Sequence, residues 1–389
     1  MIPDRQEQCR LAYVLPALPI GGAEKLLLTI LRHLDRKRYD ITIYSFTAKG
    51  TIGAEIEVLG IPVIAFHNTT HWQDGRNVLD LVRSFRKTRP HIVHTHLFNA
   101  NVSGRIAALI CGVPVIVASM HGMYEWKTLL HRSLDNVLSR FTSGVIVVSN
   151  SLKEFLQVQE SIPKEKLWVV ADGVDPDEYV PRRERSLVRA ELNILDEALV
   201  IGAVGRLVPV KGISYLLEAF ARVLAEFSQA MLLVVGDGPL RSVLETRCEE
   251  LKIGSHVRFL GWRRDVPDLL NVMDIFCLPS LSEGFGISLV EAMIMGVPTI
   301  ASNVGGLQEI TDNGVCGILV EPGNSTAIAQ GILYLLAHPD ERFELGQLGH
   351  IRALRSYTIS DTVRKLQDRY DKSLIAAEKR RGWVRRINA

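Results

Sequence analysis

The stretch from residue 199 to residue 235, LVIGAVGRLVPVKGISYLLEAFARVLAEFSQAMLLVV, decides the fold. It opens with a short, continuously apolar run, Leu199–Val204, and closes with a second one, Met231–Val235. Runs of this length and composition are typical of strands buried on both faces. Between them, Ser214–Glu226 has the apolar spacing of a helix. A strand, a helix and a strand in this order predict two parallel strands joined by a covering helix.

The same alternation recurs on both sides of this stretch. In the first half, strands are predicted at Leu11–Leu15, Ile41–Phe46, Pro62–Phe66, His91–His96, Val115–Ser119, Gly144–Ser149 and Leu167–Val170. In the second half, further strands are predicted at Val257–Leu260, Ile275–Pro279, Pro298–Ala301 and Gly317–Val320. Helical patterns lie between several of them, at Ala23–Leu34, Asn77–Lys87, Ser133–Arg140 and Ser288–Met295. We therefore expect an α/β protein of doubly wound parallel sheets.

The alternation of predicted strands and helices is interrupted once, at 175–197, a charged stretch with two prolines and no long apolar run. A chain of 389 residues is long enough for two domains at about 150 residues each. We predict two Rossmann-like lobes facing a cleft, residues 1–180 and 181–360. The helical stretch 361–378 is expected to pack back onto one of the lobes, and we assign it to the first. Residues 379–389 are expected to form a basic tail. Because ligands of such sheets bind beyond the carboxyl ends of the strands, residues that follow strands are the candidates for function.

Composition excludes several classes of protein. Lys and Arg number 45 and Asp and Glu number 43, a formal net charge of +2, which is too balanced for a protein that coats nucleic acid. No apolar run reaches the ~18–20 residues that cross a bilayer. The first residues, MIPDRQEQCR, lack the apolar core of a signal peptide, and the five cysteines are scattered without a C-x-x-C pair. These features predict a cytoplasmic protein with reduced thiols.

Two cations follow the predicted strand Leu199–Val204. Gly205 ends the strand, and Arg206 and Lys211 lie five residues apart in a loop that opens a helix. Arg bonds two oxygens at once, Lys adds a point charge, and a helix start supplies free N–H groups, so the loop is a candidate anion site. The alternative is that both cations are solvated loop charges.

Two carboxylates follow the predicted strand Ile275–Pro279, in the segment PSLSEGFGISLVEAM at 279–293. Glu283 lies in a glycine-flanked loop, and Glu291 falls in the first turns of the next helix. The glycines leave backbone N–H groups free to point at a ligand, and a carboxylate accepts paired hydrogen bonds from a sugar diol. For Glu291 alone, an acidic residue favoured by the helix dipole is the alternative.

Other strand ends carry weaker candidates. The strand Met231–Val235 ends in Gly236, Asp237 and Gly238, which permit close backbone approach but are also common in turns. The G-x-G-x-x-G fingerprint of dinucleotide sites does not occur.

In the first half, Gly21 and Gly22 follow the first strand, where they permit approach of a phosphate or form a plain turn. His121 follows Val115–Ser119 and is expected either to face the ligand or to serve the structure.

Three histidines, His91, His94 and His96, raise the question of a zinc site. No Asp, Glu or Cys follows them at a usual ligand spacing, which favours a structural or cleft-lining role.

Together these motifs resemble the family-four retaining glycosyltransferases of the GT-B fold, the glycosyl transferases group 1. The resembling pieces are GRLVPVKG at 205–212, GDGP at 236–239, PSLSEGFGISLVEAM at 279–293 and GVPTIASNVGG at 296–306. The match is close over most of 199–325 and looser in the first half.

The resemblance implies four catalytic residues, which are Arg206, Lys211, Glu283 and His121. The two cations would hold the departing diphosphate, Glu283 would meet the donor sugar, and His121 would line the site. Among the donor-binding residues that it implies, Glu291 would hold the ribose hydroxyls and Trp262 would lie near the nucleoside. The full donor-binding set is Gly21, Gly22, Gly205, Gly236, Asp237, Gly238, Trp262, Arg263, Gly284, Phe285, Gly286, Ile287 and Glu291.

The implied reaction moves a sugar from a nucleotide-diphosphate donor to a hydroxyl acceptor with retention, by attack on the face from which the leaving group departs. No Asp-x-Asp metal motif stands in a plausible donor loop, so we expect the protein's own cations to meet the diphosphate charge, with no metal or other cofactor. By analogy, the acceptor would be a polysaccharide or lipid-linked glycan of envelope assembly. A nucleotide-sugar epimerase of the same fold and a non-catalytic nucleotide-sugar-binding protein remain the alternatives.

The basic end of the chain, Lys379–Arg386, contains Trp383. It is expected either to touch anionic lipid at the inner face of the membrane or to be a solvated tail.

Overall fold

The structure is a computed structural model that describes residues 8–124 and 126–387. The chain forms two compact units: the first runs to Asp172 and takes in the C-terminal residues from Ile359 onward, and the second is Gly173–Thr358. The predictions for residues 1–7, for the side chains of 381–387 in the basic tail and for residues 388–389 lie outside what the structure describes.

The first unit is built on a seven-stranded sheet. Its strands are β1 (Cys9–Leu15), β2 (Tyr39–Ser45), β3 (Val63–Ala65), β4 (Ile92–His96), β5 (Val115–Met120), β6 (Gly144–Val147) and β7 (Leu167–Val169). The helices between them are α1 (Gly22–His33), α2 (Gly50–Val58), α3 (Gly75–Thr88), α4 (Phe98–Ile110), α5 (Leu129–Phe141) and α6 (Asn150–Gln159). All neighbouring strands are parallel, in the order β3-β2-β1-β4-β5-β6-β7, so the order reverses between β1 and β4.

The second unit repeats this plan with six parallel strands. They are β8 (Val200–Val204), β9 (Met231–Val235), β10 (Val257–Gly261), β11 (Ile275–Leu278), β12 (Thr299–Ser302) and β13 (Ile318–Val320). Its helices are α7 (Arg185–Glu191), α8 (Ile213–Glu226), α9 (Arg241–Glu250), α10 (Val266–Val272), α11 (Ile287–Ile294), α12 (Gly306–Ile310), α13 (Ser325–Ala337) and α14 (Pro339–Ser356). The order β10-β9-β8-β11-β12-β13 reverses between β8 and β11.

The last helix, α15 (Ile359–Ile387), returns to the first unit. Its residues Val363, Leu366 and Tyr370 are buried in the same apolar core as β1 and α1. The Tyr370 hydroxyl lies 3.0 Å from that of Tyr13 on β1, and the Thr362 hydroxyl donates to the backbone of the first unit. The helix continues through the residues from 379 to 387.

The predicted α/β fold with two doubly wound parallel sheets is confirmed, and each predicted strand end lies within two residues of the observed one. The charged stretch 175–197, where no regular element was predicted, contains the short helix α7. This helix buries Val188, and Arg183 just before it is ion-paired with Asp268 of α10 at 2.9 Å. No helix in the described part of the chain combines the length and the apolar character that a membrane span requires.

Candidate active site

Two loops meet where the strand order of the second unit reverses. One follows β8 and covers 205–212, and the other follows β11 and covers 279–286. The Leu281 N–H donates to the Val210 carbonyl at 2.7 Å, which joins the loops backbone to backbone. Gly212 has φ +64°, and a Cβ at this position would lie 2.1 Å from the Pro279 carbonyl oxygen. Only glycine therefore permits this approach.

The predicted cation loop and the predicted carboxylate loop are brought into contact. Lys211 Nζ donates to Glu283 Oε2 at 2.5 Å, and the Ser280 hydroxyl donates to the same oxygen at 3.1 Å. Both charged side chains are partly exposed, and Arg206 of the same loop is exposed. The Lys211 and Glu283 side chains are 22% and 15% exposed, so the ion pair still reaches solvent at the loop junction.

A third loop, the turn after β9, packs on the cation loop. The Leu207 N–H donates to the Asp237 carbonyl at 3.0 Å. Gly236 has φ +129°, and a Cβ there would lie 2.0 Å from the Gly205 carbonyl oxygen. A Cβ at Gly238 would lie 2.4 Å from the carbonyl oxygen of Leu207. The glycines of this turn thus hold the cation loop in place.

The glycine loop before α11 is also closely packed. Gly286 has φ +108°, and a Cβ at Gly306, which begins α12, would come within 2.8 Å of the Gly284 carbonyl oxygen. The Phe285 ring is buried and lies edge-on to Tyr357, with 5.6 Å between the ring centroids. Its side chain therefore serves the core, and only its backbone suits the donor-binding role that was predicted. Ile287 is the first residue of α11.

Glu291 lies on α11, and the residue is only 9% exposed. The Tyr179 hydroxyl donates a hydrogen bond to it, and burial, together with the charge of this carboxylate, raises the pKa of Tyr179 well above its ordinary value. The phenol therefore stays protonated as a donor. Sequence reasoning missed Tyr179, because nothing in its local pattern relates it to α11.

Arg263 and Trp262, the two residues after β10 that were predicted to lie near the nucleoside, have different surroundings. The Arg263 guanidinium bonds Asp265 at 2.8 Å and Glu191 at 3.1 Å, and these carboxylates raise its pKa. Arg263 thus fastens α7 to the β10 loop. Trp262 is half-exposed, and the Arg264 guanidinium lies 5.3 Å from the centre of its ring. Of Trp262 and Arg263, only Trp262 offers an aromatic ring on which a ligand could stack.

In the first unit the order of the strands reverses between β1 and β4, and Gly21 and Gly22 follow β1. Gly21 precedes α1, and a Cβ there would lie 2.3 Å from a carboxylate oxygen of Glu24. A Cβ on Gly22 would meet no atom within 4 Å. Gly22 therefore borders open space, whereas a side chain at Gly21 would have to displace the flexible carboxylate of Glu24.

His121 follows β5 at the same edge of this sheet and is paired with His96 at the end of β4. His96 Nδ1 and His121 Nε2 are 3.0 Å apart, and the rings are stacked. Burial lowers the pKa of His121 to about 4 and that of His96 well below its ordinary value. Both rings are therefore neutral near pH 7 and offer hydrogen bonds without charge.

His94 and His91, the other two histidines for which a zinc site was considered, have partners within the protein. His94 lies 2.6 Å from the Tyr370 hydroxyl and 2.8 Å from the Ser119 hydroxyl, and burial lowers its pKa to about 3. His91 Nδ1 accepts from the Arg10 N–H at 3.0 Å. In the described ranges no three His, Cys, Asp or Glu side chains are grouped so that they could hold a metal ion.

Comparison with known proteins places both halves of the chain in one family. Residues 184–350 match the family model of glycosyl transferases group 1, and residues 20–178 match that of glycosyltransferase family 4. The chain is 31% identical over 300 residues to an uncharacterized glycosyltransferase of Methanocaldococcus jannaschii, covering 74% of this chain and 73% of the relative.

Two further proteins are similar over most of their length. The UDP-Gal:alpha-D-GlcNAc-diphosphoundecaprenol alpha-1,3-galactosyltransferase of Escherichia coli is 27% identical over 315 residues, 78% of this chain and 81% of the relative. The crystal structure of HepE from Anabaena in complex with UDP-glucose has a TM-score of 0.84 at 25% identity, covering 93% of this chain and 99% of that chain. The resemblance inferred from the motifs is confirmed: the chain belongs to the glycosyl transferases group 1, family four, and is a retaining nucleotide-sugar glycosyltransferase of the GT-B fold.

Proposed function

We propose that the chain transfers a sugar from a UDP-sugar to a hydroxyl of a carbohydrate or lipid-linked acceptor in envelope glycan assembly, with retention and without a metal ion. The observation that carries this proposal is the contact of Lys211 with Glu283 across the strand reversal of the second unit, with Arg206 exposed in the same loop. One loop supplies positive charge for a diphosphate, and the other supplies a carboxylate for sugar hydroxyls.

The difficult step is the departure of a diphosphate with about two negative charges. Lys211 is already held at the loop junction by Glu283 and by its own short loop, so little reorganisation is needed when charge develops. Fixed cations aimed at a developing charge are usually the largest contribution to catalysis. Arg206 would add a bidentate contact to the same phosphates.

Glu291 and Tyr179 suit the ribose of the donor. A carboxylate accepts hydrogen bonds from two neighbouring hydroxyls, and the Tyr179 hydroxyl holds Glu291 in one orientation from the side. The exposed face of Trp262, after β10, would stack on the base.

The first unit would bind the acceptor. Its edge carries neutral His121 and the open backbone at Gly22, which suit an uncharged hydroxyl. The donor class and the lipid-linked acceptor are supported by relatives: HepE of Anabaena was crystallised with UDP-glucose, and the Escherichia coli relative is named for UDP-Gal and a diphosphoundecaprenol acceptor.

The test is to incubate the protein with radiolabelled UDP-glucose, UDP-galactose, UDP-N-acetylglucosamine and GDP-mannose in EDTA, with and without a polyprenyl-diphosphate sugar. Retention of configuration in a labelled glycoside, with a preference for UDP donors, supports the proposal. An interconverted nucleotide sugar without transfer would identify an epimerase instead. Tight donor binding with neither hydrolysis nor transfer would identify a binding protein.

A further inference from the structure

His96 and His121 each have one ring nitrogen that faces the other ring and one that does not. The facing nitrogens, His96 Nδ1 and His121 Nε2, are 3.0 Å apart, and the ring planes differ by 17°. In the described part of the chain no group bonds the outer nitrogens, His96 Nε2 and His121 Nδ1, and both atoms are buried. Buried polar atoms of native proteins are seldom left in this state. Whether each of the two carries a proton or a lone pair decides what this edge of the sheet can bind.

The strand register and α4 hold the two rings together. His96 ends β4 and lies opposite Ser119 of β5, just before His121. The side-chain amide of Asn101 on α4 donates to the Ser119 carbonyl at 2.9 Å, and its oxygen accepts from the Thr95 hydroxyl at 2.7 Å. The ends of β4 and β5 are thus joined to each other and to α4, so the imidazoles meet in a defined place.

Counting protons leaves two arrangements for the pair. Burial lowers the pKa of both imidazoles, so each ring carries one proton near pH 7. The facing nitrogens share one hydrogen bond, in which one donates and the other accepts. If His96 Nδ1–H donates, His96 Nε2 has the lone pair and His121 Nδ1 carries a proton. If His121 Nε2–H donates, His96 Nε2 carries the proton and His121 Nδ1 has the lone pair.

The surroundings of His96 favour the first arrangement. His96 is only 2% exposed, and its ring neighbours besides His121 are Tyr13 and His94, with centroids 5.6 Å and 4.3 Å away. Both nitrogens of His94 already contact hydroxyl groups. A buried N–H without an acceptor is rarer in proteins than a buried acceptor without a donor. The lone pair therefore belongs on His96 Nε2, and the proton belongs on Nδ1 of His121, a residue that is partly exposed.

We propose that His96 is a positioning residue that holds His121 in the tautomer with its proton on Nδ1. In this form His121 presents a hydrogen-bond donor at the end of β5. It has no free lone pair to receive a proton, because Nε2 accepts from His96.

This assignment rests on the proposed function and refines it. An oxygen of a sugar or of the acceptor is bound at His121 as a hydrogen-bond acceptor, and the His121 ring is not the base of the transfer. As the acceptor oxygen bonds the anomeric carbon and the bond from that carbon to the diphosphate breaks, the hydroxyl proton passes to the departing diphosphate instead of to His121.

The first experiment reads the tautomers directly in the full, unaltered chain. Long-range proton–nitrogen NMR spectra of isotope-labelled histidine rings distinguish a protonated from a bare ring nitrogen. The signals of the pair are assigned by their loss in His96→Asn and His121→Gln. We expect both rings to be protonated on Nδ1. Protonation of both rings on Nε2, or a doubly protonated ring at pH 7, would overturn the proposal.

The second experiment compares His96→Asn with His96→Asp, two side chains of one shape. The Asn amide can donate to His121 Nε2 as His96 does, whereas an ionised Asp can only accept and so draws the His121 proton to Nε2. With saturating substrates, transfer by the Asn variant should stay within about threefold of the normal rate, and transfer by the Asp variant should fall about tenfold or more. The Kd for UDP should not change in either variant. Equal transfer by the two folded variants would overturn the positioning role.

Failure of this inference can be told apart from failure of the proposed function, since the tautomer is measured without any substrate. Rings protonated on Nδ1 in a chain that transfers no sugar would reject the function and leave His96 as the residue that sets the tautomer of His121. Normal transfer by a chain with both rings protonated on Nε2 would reject the inference alone.

Discussion

The two sheets reverse their strand order at corresponding places, yet the loops at these places differ in charge. In the second unit, the loops after β8 and β11 bring Arg206, Lys211 and Glu283 to one edge. In the first unit, the corresponding edge has two stacked imidazoles at His96 and His121 that burial keeps neutral. The same backbone plan thus brings two cations and a carboxylate to one edge, and neutral imidazoles with the Glu24 carboxylate to the other.

This difference indicates how two units of the same fold can serve different parts of a transfer reaction. A diphosphate needs fixed positive charge, whereas a neutral hydroxyl acceptor is bound by groups that donate or accept without charge. On this view the charged edge controls the chemical step, and the neutral edge controls orientation. Four predictions test this assignment of different roles to the two edges, and they are given in order of decreasing effect.

The largest effect is expected from Lys211→Ala. Loss of one charge-assisted contact to the leaving diphosphate should raise the barrier by about 2–4 kcal/mol and lower transfer roughly 30-fold to 1000-fold. The thermal unfolding midpoint should hardly move, because the partly exposed pair of Lys211 with Glu283 contributes at most about 1 kcal/mol. Initial rates and calorimetry measure both quantities.

The control for Lys211 is Arg222→Ala, since Arg222 is a cation of α8 that bonds Thr326 away from the loop junction. It should leave the rate unchanged. Transfer by Lys211→Ala at the normal rate would refute the assignment of the charged edge to the diphosphate.

Tyr179→Phe should weaken donor binding about 10-fold or more. The substitution removes a hydrogen bond to the buried Glu291 carboxylate, and hydrogen bonds to charged groups contribute about 1.5–3 kcal/mol. We expect a higher Kd for UDP by titration calorimetry, with a smaller effect on turnover at saturation. An unchanged Kd would separate Glu291 from the donor site.

Gly212→Ala should destabilise the second unit by at least about 1–2 kcal/mol, since φ is +64° and the new Cβ would meet the Pro279 carbonyl. Donor turnover should fall with it, because the two loops can no longer touch. Gly254→Ala is the matched control: a Cβ at Gly254 would meet nothing within 4 Å. Denaturant unfolding compares the two variants, and equal stability of both would contradict the close loop packing.

The smallest effect at neutral pH concerns the imidazole edge, whose contribution to stability changes only on acidification. Because burial lowers the pKa of His121 to about 4, the unfolded chain binds more protons than the folded chain between pH 6.5 and about 4. The free energy of unfolding should therefore fall as the pH falls through this window, by up to about 1.4 kcal/mol per pH unit for one histidine.

His121→Gln should flatten that slope by the share of one histidine, which urea unfolding at pH 6.5, 5.5 and 4.5 can measure. The amide keeps a hydrogen-bonding group beside His96 without a titrating ring. A slope equal to that of the unaltered chain would show that His121 is not held neutral, and the contrast between the two edges would weaken.

Much of the fold and part of the candidate site followed from local patterns. Every strand was predicted, because strands buried on both faces are continuously apolar wherever they lie in the chain. The glycine loops were recognised because glycine is typical both of positive φ and of close approach between backbones, whichever contact a given position makes. The helix α7 was missed, since Val188 is the single buried apolar side chain among its seven residues, and the ion pair to Asp268 of α10 comes from Arg183, just before the helix.

The sequence by itself determined two parallel α/β sheets, the charged and glycine-rich loops that follow their strands, and the family. Only the tertiary structure decided that Lys211 touches Glu283, 72 positions away, and that Tyr179 holds Glu291. It also decided that Arg263 and the Phe285 ring serve the structure, and that His96 contacts His121. The physical reason is that backbone preference and apolar periodicity act over a few residues, whereas the partner of a side chain is set by how distant strands order themselves in a sheet.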